Sequence, residues 1–172
     1  MRTLEFTIHP GAAMRLLKDA FEYNGWATRQ LGGVCRTSTP AQLTNKEEWQ
    51  YQPILELWRH INEVERAYLR LTGGGEVPAP VASLEEYLSS SDAVNRELVA
   101  HADGLDDEGL ERMFNVPWFE RDFTVGDGLF QVLTHSIEHR ADIAHFLGRL
   151  GHETPPIDYV MWIYLGDGGR MP

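Results

Sequence analysis

The chain has 172 residues, of which 42% are hydrophobic and 24% charged, with a formal net charge of −11. That length and composition suit one soluble globular domain with a real core, expected to span residues 1–172. The acidic balance leaves no general cationic footprint for phosphate backbones, which argues against DNA, RNA or an anionic membrane as the main partner.

The single cysteine, Cys35, excludes an intramolecular disulfide and has no CxxC-type spacing around it, which fits a reducing cytoplasm. The first residues carry charges throughout and lack the apolar core of a signal peptide. The longest apolar runs, such as that from Val160 to Leu165, are far too short to span a bilayer. A cytoplasmic protein is the expectation.

Taken in chain order, residues 10–31 predict a first helix. Leu16, Leu17, Ala20, Phe21, Asn24, Ala27 and Leu31 recur at helical spacing, and Gly32-Gly33 is expected to end it. Residues 34–51 predict a connecting loop. A second helix should begin near Pro53, whose missing N–H costs nothing in a first turn, and run to Thr72, where three glycines stop it. A proline-rich link at 76–80 leads to a third helix over about 83–102, opened by Ser83 and Glu86 in a capping-box pattern.

Residues 103–125 are less regular: a helical turn over Asp106 to Met113, then an extended segment or loose hairpin from Phe114 to Phe123. A fourth helix starts near Thr124 or Asp127 and ends at Gly151. The tail, from 152 on, holds Pro155-Pro156, a short apolar stretch and a glycine-rich end. Four long helical patterns with little strand signal predict an all-α fold, a four-helix bundle of up-and-down style with an irregular connection between helices 3 and 4.

The chemistry lies in the histidines. His135 and His139 are four residues apart in the fourth helix, which stacks them one turn apart on one face. On a wheel of the second helix, His60 falls near the middle of an arc made by Leu57, Ile61, Val64, Ala67, Tyr68 and Leu71. Taken alone, His60 reads as a core histidine bonded to a carbonyl or carboxylate. The fourth helix buries Leu129, Val132, Leu133, Ile143, Phe146, Leu147 and Leu150, with His139 inside that arc and His135 at its edge. Imidazoles converging from facing helices can hold one metal ion and leave a position open for water or substrate. The other histidines, His9, His101, His145 and His152, read as surface or capping residues.

Four stretches in succession resemble the DinB/YfiT-like metalloenzyme family: FEYNGWATRQL in the first helix, PILELWRHINEVERAYL in the second, TVGDGLFQVLTHSIEHRADIAHFLGRLG in the fourth, and PPIDYVMWIY in the tail. The resemblance implies a four-helix bundle in which His60, His135 and His139 form a metal triad, with dimerisation through helix faces an accompanying trait. Members with assigned activities include metal-dependent hydrolase-like proteins and transferases that use low-molecular-weight thiols.

The family often continues its last ligand as His-Arg-Gly-Gln, whereas this chain has His139-Arg140-Ala141-Asp142. Asp142 is therefore a candidate fourth ligand, outer-sphere acceptor for an imidazole N–H, or proton acceptor, against the plain alternative of a solvated helix-edge charge. Arg140 points toward the buried arc and needs a salt bridge or hydrogen bonds to a neighbouring loop, an anionic substrate being the secondary reading. Asn24 and Trp26 are candidates to line the pocket, Trp26 reading more readily as a packing residue.

Three neutral imidazoles would leave a divalent ion, whether zinc, nickel, iron or copper, its full charge. Such an ion lowers the pKa of a bound water to about 7 or holds a thiol as thiolate, supporting hydrolysis or thiol transfer. The expected partners are a small-molecule substrate or a thiol cosubstrate. A non-catalytic, stress-related metal or small-ligand protein and a metal-free structural bundle are the competing readings.

Overall fold

The computed structural model describes residues 12–80 and 82–166. In chain order its elements are α1 (Ala12–Cys35), α2 (Pro40–Thr44), α3 (Ile54–Thr72), α4 (Leu84–Asp103), α5 (Asp107–Glu111), β1 (Met113–Asn115), β2 (Asp122–Thr124), α6 (Val125–Arg149) and α7 (Tyr159–Tyr164). The long helices α1, α3, α4 and α6 are the four predicted from periodicity, so the chain is a mostly helical bundle.

Local chemistry sets several boundaries. Ser83 accepts from the Glu86 backbone N–H while the Glu86 carboxylate accepts from Ser83, the expected capping box of α4. Thr124 and Asp127 do the same for α6. Helix α3 ends on Gly73, whose φ of 90° places it in the left-handed region that favours glycine.

Two boundaries differ from expectation. Gly32-Gly33 does not stop α1, which continues to Cys35 because Leu31 and Cys35 are both fully buried. A Cβ on Gly32 would sit 2.8 Å from a Leu88 methyl, so that glycine lets α1 and α4 approach closely. This packing outweighs the cost of about 1 kcal/mol that glycine imposes inside a helix. The expected loop over 34–51 contains α2, capped by Thr39 and Gln42. Leu16 is 61% exposed and not part of the core. The expected start of the first helix at residue 10 lies outside the described residues.

The order around the bundle is α1, α4, α3, α6 and back to α1. The first two long helices are thus diagonal, and so are the last two, which corrects the up-and-down expectation. Connection length explains the difference. The short link 73–83 joins neighbours, α3 and α4, whereas the long links 36–53 and 104–124 carry the chain across the diagonal. In the second of these, β1 and β2 form the antiparallel hairpin with Phe114 opposite Phe123.

Because α3 touches both α4 and α6, its buried arc is wider than predicted and rotated. Ile54, Leu57, Trp58, Ile61, Asn62, Glu65, Tyr68, Leu69 and Thr72 are buried, whereas Val64, Ala67 and Leu71 are only partly covered. His60 accordingly lies at the edge of the core, in the groove between α3 and α6, and not at the centre of the buried face. Among the described residues no helix is long and apolar enough to cross a membrane.

Candidate metal centre

Helices α3 and α6 bring His60, His135 and His139 together: one ring nitrogen of each lies within 4.8 Å of the others. The Nε2 atoms of His60 and His135 are 3.0 Å apart. Ring centroids are separated by 4.8 Å (His60–His135), 5.0 Å (His60–His139) and 4.4 Å (His135–His139). Imidazole nitrogens bound to one tetrahedral zinc, each at about 2.0–2.1 Å, would stand about 3.3 Å from one another. Small side-chain adjustments reach that geometry, so the donor set fits a divalent ion.

The protonation states agree with this. Burial, then the His139 and His60 rings, holds His135 down to about 4, and burial lowers His60 as well. Both are neutral at pH 7, with lone pairs available. His135 Nδ1 is buried with no hydrogen-bond partner.

A contact that periodicity could not anticipate fixes the third ring. The Tyr51 hydroxyl donates to Asp142 Oδ2 at 2.6 Å and lies 3.1 Å from His139 Nδ1. A phenol has one hydrogen, and it is committed to Asp142, so His139 Nδ1–H is the donor to the Tyr51 oxygen. The Nε2 lone pair of His139 is thereby left free. Burial and Asp142 push the Tyr51 phenol up, keeping it protonated. Tyr51 is held over α6 by Phe146, at 5.8 Å between centroids, and Trp49 packs on the same ring at 5.5 Å.

Asp142 is therefore neither a member of the histidine cluster nor a bare surface charge. Its Oδ2 is 3.4 Å from His139 Nδ1, the position of an outer-sphere orienting group. Arg140 is fully buried, but its partners are not on a loop: Nη1 donates to Asn24 Oδ1 (2.6 Å) and Thr28 Oγ1 (3.4 Å) of α1. Asn24 donates onward to Glu65 Oε1 at 3.0 Å, which also accepts from Ser136 at 2.8 Å. Asn24 thus belongs to this buried network and Trp26 to a cluster with Tyr23 and Trp162, so neither lines the histidine groove.

The remaining described histidines stay apart from the cluster. His145 is exposed, and His152 Nε2 is 3.1 Å from Ser38 Oγ. His101 lies in the last turn of α4, as its helix-ending position predicts, and is partly buried against Gly74. His9 lies outside the described residues.

Sequence reading missed Tyr51, Glu65 and Ser136. Tyr51 sits in a loop, where no periodicity marks it. Glu65 did carry a signal: it lies four residues after Ile61 and four before Leu69, an acid on an apolar stripe that needs a buried partner.

Several solved structures share this architecture. A DinB-like protein of Bacillus subtilis, YjoA, superposes with a TM-score of 0.64 at 19% identity, covering 83% of this chain and 97% of that one. YfiT of Bacillus subtilis, described as a probable metal-dependent hydrolase with an unusual four-helix bundle topology, gives 0.67 at 15% identity over 89% and 95%. A DinB-like protein of Bacillus cereus gives 0.61 at 17% identity over 76% and 90%. No curated protein matches the chain. Residues 14–167 match the DinB family, and with its histidine-bearing bundle the chain belongs to that family.

Proposed function

We propose that this protein is a metal-dependent enzyme acting on a small molecule, with His60, His135 and His139 as the protein ligands of a divalent ion. The observation that carries the reading is the convergence of three imidazoles from two helices, two of them held neutral. When bound, the ion supplies Lewis acidity and a nucleophile active at neutral pH.

The chain's own residues supply the rest. Tyr51 and Asp142 orient His139 through its Nδ1–H and keep its Nε2 directed away from their own hydrogen bonds. The three histidines are only partly buried, so a substrate could reach an ion held by them. Hydrolysis is the reaction class favoured by the likeness to YfiT. Transfer of a low-molecular-weight thiol uses the same open position and is the second reading.

The test is turnover by zinc-, nickel- and iron-loaded protein on a panel of esters and amides, beside a panel of thiol and electrophile pairs. Hydrolysis that disappears in His135→Ala supports the first reading. Thiol-dependent turnover alone would replace it with the second, and no turnover with full metal occupancy would make the protein a binding module.

A further inference from the structure

Beyond the histidines, a cavity of about 520 Å³ between α3, α6 and the β1–β2 hairpin is lined by Tyr68, Phe119, Arg121, Phe123, Asp127, Gly128 and Gln131. The long link before α6 builds it, since the β1–β2 hairpin sets Phe119 against Phe123 at 5.6 Å, edge to face. Trp118 closes on Tyr68 at 6.2 Å, also edge to face. Trp118 and Phe119 are 58% and 49% exposed, a large aromatic surface to leave in water. Gly128 lets the hairpin sit close on α6, since a Cβ there would lie 2.7 Å from the Phe114 ring.

The cavity lies along the same two helices as the histidine cluster. Gln131 precedes His135 by one helical turn, about 6 Å along α6, and Tyr68 lies two turns beyond His60, about 12 Å along α3. At the rim, Arg121 sits 5.6 Å over the Phe123 ring, and Asp127 lowers the local charge back toward neutral. One Asp127 oxygen is already committed to the Thr124 backbone N–H. The rim therefore selects for neither sign of charge, and the walls present ring edges and faces. A flat π-system meets these in offset or T-shaped contacts that a saturated ring of the same size cannot make.

We propose that this cavity is the specificity pocket of the histidine site and takes an uncharged aryl group, with the substrate's polar linkage passing Gln131 toward His135. The assignment rests on the metal-dependent reading above for its role in a reaction, but the pocket's occupancy does not.

Binding of naphthamide and of its fully hydrogenated counterpart is measured by calorimetry on chelator-treated protein, on zinc-loaded protein and on the His60→Ala/His135→Ala/His139→Ala variant. Saturable binding of naphthamide in all three, about tenfold tighter than its saturated counterpart, is expected. Phe119→Ala should weaken it about tenfold while Phe119→Tyr retains it. Phe130→Ala, on the exposed side of α6, should leave it unchanged. Equal affinity for the two amides, an unaffected Phe119→Ala variant of unchanged melting temperature, or no saturable binding would each overturn the pocket. Aryl binding by a wild-type protein that takes up no zinc would sink the metal reading alone. Metal uptake without aryl binding would sink the pocket alone.

Discussion

Helices α3 and α6 each contribute to two polar clusters, and the contrast between them separates a site from a support. One cluster, Asn24, Glu65, Ser136 and Arg140, is buried through and through and joined by hydrogen bonds across α1, α3 and α6, with Glu65 Oε2 and Arg140 Nε and Nη2 left without one. The other, His60, His135 and His139, sits at the groove edge, where one nitrogen of each ring lies within 4.8 Å of the others and, among the described residues, no acid joins them. Buried hydrogen bonds between helices hold them in register. Converging lone pairs at a partly open surface ask for a cation.

The contrast can be broken first at the histidines. His60→Ala, His135→Ala and His139→Ala should each abolish tight metal binding, seen by elemental analysis, while circular dichroism keeps the helical signal. Equal metal in the triple variant and the wild type would place the ion elsewhere. The opposite pattern is expected inside the bundle. Arg140→Met should cost about 3 kcal/mol of stability or more in urea unfolding, because Glu65 stays buried without the charge that offsets it. Metal per folded molecule should hold. A near-neutral Arg140→Met would mean that the network contributes little.

How much of this could be read from the chain alone follows the same division. The helices came from periodicity and capping residues such as Ser83 and Glu86, and the triad from an i,i+4 pair joined with one histidine on a facing helix. The ring order did not, because sequence spacing says nothing about whether residues 36–53 carry the chain to a neighbour or across the diagonal. Nor did the true arc of α3, since a wheel weighs apolar residues and passes over Asn62 and Glu65, which are buried with hydrogen-bond partners on other helices. Arg140 was legible as inward-facing, but its partners on α1 were not.

Two smaller effects sharpen the comparison. Burial pushes the Glu65 carboxyl above its ordinary value of 4.5, against the pull of Asn24, Ser136 and Arg140. Between that value and the raised native one, the folded state holds more protons than the unfolded state. Stability contributed by this group therefore falls as pH rises through the window. Glu65→Gln should remove that part of the slope, measured as the difference between wild-type and variant urea midpoints from pH 4.5 upward. Identical slopes would show that Glu65 does not titrate there.

Tyr51→Phe removes the hydroxyl that bridges His139 and Asp142. Metal affinity should weaken about tenfold, the lower end of the range for outer-sphere partners, with the melting temperature nearly unchanged. A competitive chelator titration reads this directly, and an unchanged dissociation constant would make the Tyr51 contact incidental.

X-ray absorption at the edge of the bound metal addresses the imidazole cluster most directly. Zinc-loaded protein should show three imidazole nitrogens per ion at about 2.0 Å, and His139→Ala should lose one of them. A shell with fewer imidazoles in the wild type, or one unaltered by that substitution, would contradict a cation shared by these three rings.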